Sequence, residues 1–246
     1  MKAAPTAQQR LLDLQAVDTA IAQLQHRRRS LPEHVLIAEG HKVRTRLGER
    51  LVELRTRISD LELEVEKAES DLVPVRDRRV RDQQRVANGS VTDPKQLSAL
   101  ITEIEHLGKR IGDLEDVELE VMERLEQATG ERDRVATERL TGEHELRRLI
   151  ALRDAQQAEL DAELVSREGA RKAIAAELPA DLVAAYDRTR TRTGTGAAAL
   201  VQHRCSACQL VATPADLARY AASPADEVLR CVECDRILVR VAESGL

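Results

Sequence analysis

From Leu47 onward the apolar residues recur in alternating steps of four and three: Leu47, Leu51, Leu54, Ile58, Leu61, Val65, Ala68, Leu72 and Val75, with Glu, Arg and Asp between them. A repeat averaging 3.5 residues keeps one stripe of a helix facing a partner helix, so this is a coiled-coil seam. A second seam runs through Leu97, Leu100, Ile104, Leu107, Ile111, Leu114, Val121, Leu125 and Ala128, then less regularly through Leu146, Leu149, Leu160 and Leu164. Between the two seams lies ANGSVTDPKQL. Asn88-Gly89 is a chain-reversal signal. Asp93-Pro94-Lys95-Gln96 reads as an N-cap, a proline at the first helical position and a capping-box glutamine. The pattern predicts two antiparallel helices of about 80 residues, about 120 Å at 1.5 Å per residue, reversing near residues 88–93.

A reversal centred near Val91 sets Pro74 opposite Gly108 and Gly40 opposite Gly142, where a glycine would give a bent backbone room. The first helix is interrupted at RRRSLPEH, where Ser30 and Glu33 read as a fresh capping box around Pro32. Thr6 to Arg29, opening with Thr6-x-x-Gln9 and carrying Leu11, Leu14, Val17, Ile21 and Leu24, is then a separate helix expected to pack near Ile174. The helical pattern stops at Leu178-Pro179. Residues 1–178 are expected to form the coiled-coil helical hairpin, 179–196 a linker with a short helix, and 197–246 a small β-rich module, giving a mostly α fold.

Composition supports the narrow seam: no Trp, no Phe, two Tyr, and 33% charged residues. An ordinary core draws much of its buried area from aromatics. The N-terminal stretch has no continuous apolar region of signal-peptide type, and no run of apolar residues is long enough to span a bilayer. The expectation is a cytoplasmic protein without membrane contact. A net charge of −5 argues against a protein that coats nucleic acid over its whole surface.

After Ala197 the runs AAALVQHR, EVLR and RILVRV are β-like and flank Cys205-x2-Cys208 and Cys231-x2-Cys234, which hold every cysteine in the chain. Two residues between thiolates let one tight turn present both sulfurs to a single ion, and two such knuckles complete a tetrahedron. Four thiolates suit one Zn2+ and leave no coordination position for a substrate, so the expected role is structural. The rival readings are weaker. A redox pair needs a Cys-x-x-Cys at the start of a helix in a βαβ unit. Disulfides are disfavoured in a reducing compartment, and ferredoxin cluster spacing is absent. His203 stands two residues before Cys205 as a substitute ligand that four thiols make unnecessary. Between the knuckles, Thr213-Pro214-x-Asp216 predicts a short capped helix. So small a module is expected to need the metal in order to fold.

The hairpin, the VTDPKQLSALITEIEHL return, LPADLVAAYDRTR and the CSAC…CVECDRIL module, in this order, resemble the bacterial C4-type zinc-ribbon proteins with an N-terminal coiled-coil hairpin. The resemblance covers almost the whole chain. Its relatives commonly carry Gly after the last cysteine, where this chain has Asp235. The resemblance implies an adaptor: members have been linked to chaperoning an alternative sigma factor, to flagellar or type III secretion, and to RNA binding.

The residues show no nucleophile–base constellation and no phosphate-cradling glycine loop, so a non-enzymatic adaptor that binds protein partners is the expected function. The alternative is nucleic-acid binding through the basic residues Arg188, Arg190, Arg192, His203 and Arg204, with Arg236 as a further contact to nucleic acid or partner. Against it, residues 179–246 hold eight Arg and eight Asp or Glu, and stacking platforms are almost absent. An antiparallel hairpin already satisfies its own seam, so a monomer or weak dimer is expected.

Overall fold

The computed structural model describes residues 1–246 and is mostly helical, with a small strand-containing region at the C-terminal end. No helix is long and apolar enough to cross a membrane. Three helices come first: α1 (Pro5–Arg29), α2 (Glu33–Ala87) and α3 (Pro94–Ala176). They are followed by α4 (Ala180–Thr193), β1 (Ala197–Val201), β2 (Arg204–Cys205), α5 (Pro214–Ala222), β3 (Leu229–Arg230), β4 (Ile237–Arg240) and a 3-10 turn (Ala242–Ser244).

The chain divides into two compact units, one made of Met1–His34 with Ala151–Leu246, the other of Val35–Ile150. This differs from the boundaries at 178 and 196 read from the sequence, because α1 and α4 pack into the same core as the strands.

In the second unit α2 and α3 run antiparallel, joined by ion pairs such as Arg50–Glu131 at 2.6 Å and Arg78–Glu103 at 2.8 Å. The seam residues expected on α2 are all buried or half-buried, and Leu54 and Leu72 are only 1% exposed. The seam continues past Val75 into polar residues, with Arg79 half-buried and Asp82 buried. Asp93 caps α3 as its sequence predicts: Oδ1 accepts from the N–H groups of Lys95 (2.7 Å) and Gln96 (3.2 Å). Gly89 takes a left-handed φ of 63° at the reversal. The facing positions are shifted by about one helical turn from expectation. A Cβ on Gly40 would lie 3.1 Å from Leu146 Cδ1, and Gly108 lies under the Arg79 guanidinium instead of Pro74. Both helices continue unbroken through these glycines and Pro74.

In the first unit two expected caps are replaced. Pro5, not a Thr6 box, opens α1, and the N-cap Ala4 makes no side-chain bond. Ser30 closes α1 instead of opening α2: its N–H and Oγ both donate to the His26 carbonyl at 2.9 Å. Glu33 is buried, and its Oε1 accepts from Gln156 Nε2 at 3.2 Å.

The strands form one sheet in the order β2-β1-β4-β3. β1 and β4 are parallel, with Ala197 opposite Ile237 and Leu200 opposite Arg240, and each pairs outward with an antiparallel two-residue strand. Successive strand residues point to opposite faces, so the sheet has two cores. On one face Ala197, Ile237 and Val239 pack with Leu11, Leu14, Leu182 and Tyr186, and Ile174 borders them as the sequence predicts. On the other, Ala198, Leu200 and Leu238 pack with Tyr220, Leu229, Cys205 and Cys231. The segment 179–196 therefore contributes to this core, since Leu182 and Tyr186 are fully buried.

A polar network ties the helices to the first face. Asp18 is 2% exposed and accepts from Arg171 Nε (2.8 Å) and the Tyr186 hydroxyl (2.8 Å), with Arg190 Nε at 3.3 Å. Burial, and then the Asp18 carboxylate, push Tyr186 far above the usual phenol range, so its hydroxyl stays protonated and can donate. Gln15 Oε1 accepts from the Gly196 N–H at 2.7 Å. Gly196 lies against the Tyr186 ring, where an added Cβ would sit 2.5 Å from two ring carbons. Gly196→Ala is therefore expected to destabilise the protein by about 1–3 kcal/mol through overpacking, read as a lowered urea midpoint.

Candidate metal centre

The two knuckles are copies of one backbone pattern. In the first, the Cys205 N–H donates to the Leu210 carbonyl (3.1 Å) and the Gln209 N–H to the Cys205 carbonyl (2.9 Å). In the second, the Cys231 N–H donates to the Arg236 carbonyl (2.9 Å) and the Asp235 N–H to the Cys231 carbonyl (2.9 Å). The residue after each second cysteine is left-handed, Gln209 at φ 64° and Asp235 at φ 57°. Asp235 thus takes a left-handed conformation, which Asp tolerates better than most residues. The residue before each first cysteine is an arginine that braces the turn: Arg204 Nη1 donates to the Gln209 carbonyl, and Arg230 Nη1 to the Asp235 carbonyl at 2.8 Å.

Because β1 and β4 lie side by side, the two turns bring the four sulfurs together. Cys205 Sγ is 4.0 Å from Cys234 Sγ, Cys208 Sγ is 3.8 Å from Cys231 Sγ, and all four lie within 4.8 Å of one another. Metal–sulfur bonds of about 2.3 Å would set the corners of a tetrahedron about 3.8 Å apart, so the donor set fits one tetrahedral ion. The four thiols are unbridged, with Cys205 and Cys231 buried and the other two half-buried.

The protonation tendencies follow from burial and from what faces each sulfur. Burial pushes Cys231 up to about 12, against the N–H groups of Cys234 and Glu233, and raises Cys205 as well. At Cys234 burial acts in the same direction, but the backbone N–H and guanidinium of Arg236, with the thiols of Cys231 and Cys208, outweigh it and bring the thiol down to about 7. Four thiolates at this spacing repel one another, and a bound dication offsets that repulsion.

The basic residues expected to form a free cluster are mostly committed elsewhere. Arg190 pairs with buried Asp18, and Arg192 with Asp235. Arg204 braces the first knuckle, while Arg236 Nη2 donates to the Thr193 carbonyl at 2.8 Å. Of the five arginines, Arg188 alone is exposed without an ion pair or hydrogen bond. The reason is tertiary: carboxylates of α1 and the second knuckle meet Arg190 and Arg192 of α4, while carbonyls of α4 and the first knuckle accept from Arg236 and Arg204. His203 lies outside the sulfur cluster, in a left-handed turn at φ 65°, with Nε2 2.7 Å from the Gly245 carbonyl oxygen. Thr213 caps α5 as predicted, accepting from the Asp216 N–H at 3.2 Å.

The paired braces Arg204 and Arg230 were not expected, although the repeated Arg-Cys-x-x-Cys string is visible in the sequence. Asp18 was also missed. Its signal is a carboxylate in the middle of the apolar face defined by Leu14 and Ile21.

Comparison with known proteins places these features in a wider group. The uncharacterized protein Rv2229c of Mycobacterium tuberculosis is 32% identical over 98% of both chains. A solved structure from Mycobacterium smegmatis is 34% identical, covers 98% of this chain and 100% of its own, and has a TM-score of 0.81. The structure of CT398 from Chlamydia trachomatis shares the fold at 17% identity, with a TM-score of 0.69 over 96% of this chain and 98% of its own. Residues 14–194 match the CT398-like coiled coil hairpin domain, and by this match and the mycobacterial similarity the chain belongs to that family.

Proposed function

We propose that Cys205, Cys208, Cys231 and Cys234 hold one structural Zn2+, and that the protein is a non-enzymatic adaptor that binds protein partners through its coiled coil and its metal module. The supporting observation is the sulfur geometry. Four Sγ atoms within 4.8 Å supply a complete tetrahedron from the protein itself. A closed thiolate shell of this kind leaves no position for an activated water or a polarised substrate, the requirement of a catalytic zinc site. When bound, the ion supplies charge and cross-linking. Cys205 and Cys231 also belong to the apolar core on that face of the sheet, so the same residues build both the site and the module. Thiol ligands imply a reducing compartment such as the cytoplasm.

Nucleic-acid binding is the weaker reading, because four of the five arginines that would track phosphates already make ion pairs or hydrogen bonds to groups of this chain. Protein purified under reducing conditions is expected to contain one equivalent of zinc by elemental analysis, with its thiols unreactive until a chelator is added. Less than one equivalent of metal in folded protein would count against the site. A pull-down in which the full chain retains nothing beyond a Cys205→Ser/Cys231→Ser control would count against the adaptor role.

A further inference from the structure

The two flanks of the α2–α3 seam differ. With Leu51 and Ile58 at heptad position a and Leu54 and Leu61 at d on α2, and Ile111 and Leu125 at a and Leu107 and Val121 at d on α3, one flank consists of g positions and the other of e and b positions. The g flank is a ladder of ion pairs between the helices: Arg50–Glu131, Glu64–Arg124 and Arg78–Glu103. The e flank has one such rung, Arg76–Glu115. In place of the others it shows apolar and small side chains. Val52, Val73 and Val80 of α2 and Ile101, Leu119 and Met122 of α3 all lie on it and are all exposed, whereas the g flank exposes Val117. Leu119, Met122 and Leu125 join Val65 of α2 in walling a groove of about 660 Å3, and Gly130 leaves open space at its edge. The same flank is acidic. Between Arg55 and Arg76 its e and b positions on α2 hold Glu62, Glu66 and Glu69, and between Ile101 and Asp133 those on α3 hold no Lys or Arg. Glu66, Glu69 and Glu126, with Glu123 on the groove wall, are exposed and make no ion pair.

We propose that this flank is the docking surface of the coiled coil and that its occupant is a basic amphipathic helix of a protein partner, which lays apolar residues at heptad spacing into the groove and sets Lys or Arg side chains against the glutamates. The sign of the charge decides the occupant. A second copy packed about a two-fold axis would bring the same patch against itself and oppose carboxylates to carboxylates, whereas a cationic helix meets both the apolar groove and its acidic border. The inference rests on the adaptor reading above and deepens it by giving the partner its chemistry and its place on the rod.

The probe is a labelled synthetic amphipathic peptide with Leu at a and d and Lys at the flanking positions, titrated against the full chain by fluorescence anisotropy beside the same peptide with Glu in place of Lys. The Lys peptide is expected to bind and the Glu peptide not, with an affinity that falls as salt rises. Leu119→Gln/Met122→Gln is expected to weaken binding about 10–100-fold. Both side chains are exposed and glutamine is a good helix former, so the variant keeps its helix. Val117→Gln, on the ladder flank, is expected to leave binding unchanged. Glu123→Lys/Glu126→Lys is expected to reverse the preference between the two peptides, and Asp113→Lys/Glu120→Lys, the same charge change on the ladder side, to preserve it. Equal binding of the two peptides, an unchanged affinity in Leu119→Gln/Met122→Gln, or an equal loss in Val117→Gln would each overturn the proposal. So would a dimer in analytical ultracentrifugation that Leu119→Gln/Met122→Gln dissolves, since the face would then belong to a second copy. In the pull-down described above, a partner retained equally by wild type and by the double variant would overturn this docking face and leave the adaptor reading standing, whereas a wild-type chain that retains nothing would sink the adaptor reading and the face with it.

Discussion

Stripping the metal with a chelator is expected to release one face of the C-terminal sheet and leave the other in place. The released face is the one whose core includes Cys205 and Cys231 together with Tyr220 of α5, while Leu217 is only half-buried against it. Structural zinc in small modules contributes about 10–16 kcal/mol of apparent binding free energy, more than so small an apolar cluster can replace. The opposite face packs Ala197, Ile237 and Val239 on α1 and α4 and owes nothing to the sulfurs. Hydrogen exchange should therefore show residues 204–222 losing protection while 5–29 and 180–193 keep it. The chain has no Trp, so the emission of its two tyrosines is readable. Tyr220 should become open to a quencher, and fully buried Tyr186 should not. Far-UV circular dichroism should barely change, because the long helices dominate it. Uniform loss of protection, or none, would contradict the two-faced core.

Asp18→Ala is the substitution expected to do most damage away from the cysteines. It removes a carboxylate whose side chain is 1% exposed and leaves Arg171, Arg190 and the Tyr186 hydroxyl without their common acceptor. Breaking a buried pair by deleting one partner costs about 3–5 kcal/mol. The lower end applies here, because the Arg171 and Arg190 side chains are 24% and 33% exposed and water can take up part of the lost interaction. Urea unfolding followed by tyrosine emission measures the loss. Asp18→Asn keeps the shape and one acceptor oxygen, so it should cost less than Asp18→Ala. A change below about 1 kcal/mol for Asp18→Ala would mean that the network is compensated by solvent.

What could be read from the sequence was what is local. The seams at Leu47–Val75 and Leu97–Ala128 are spelled out by a 3.5-residue repeat, and the Asp93 and Thr213 caps involve residues within three positions of one another. Ser30 misleads for an equally local reason. The pattern Ser-x-x-Glu fits the start of one helix and the end of the previous one, and the His26 carbonyl wins the hydroxyl. The hairpin register was displaced by a turn because the geometry of residues 88–93 decides it, and a seam with an apolar residue every 3.5 positions on average still meets an apolar seam after a one-turn slip. At the metal site the Cys-x-x-Cys spacing carried the ligands but not the parallel β1–β4 pairing that brings them together. The partners of Arg190 and Arg192, Asp18 and Asp235, lie far away in sequence, so local pattern does not reveal them.

The discontinuity of the first unit, with Met1–His34 separated from Ala151–Leu246, bears on how the protein is made. Leu11 and Leu14 find their partners Ile237 and Val239 only after nearly the whole chain has left the ribosome. At about 5–20 residues per second, that wait is about 10–45 s. Val35–Ile150 can complete its own pairing within that time. Until Leu160, Leu164, Leu182 and Tyr186 emerge, the apolar stripe of the first helix stands uncovered in the nascent polypeptide, a natural client for a ribosome-associated chaperone.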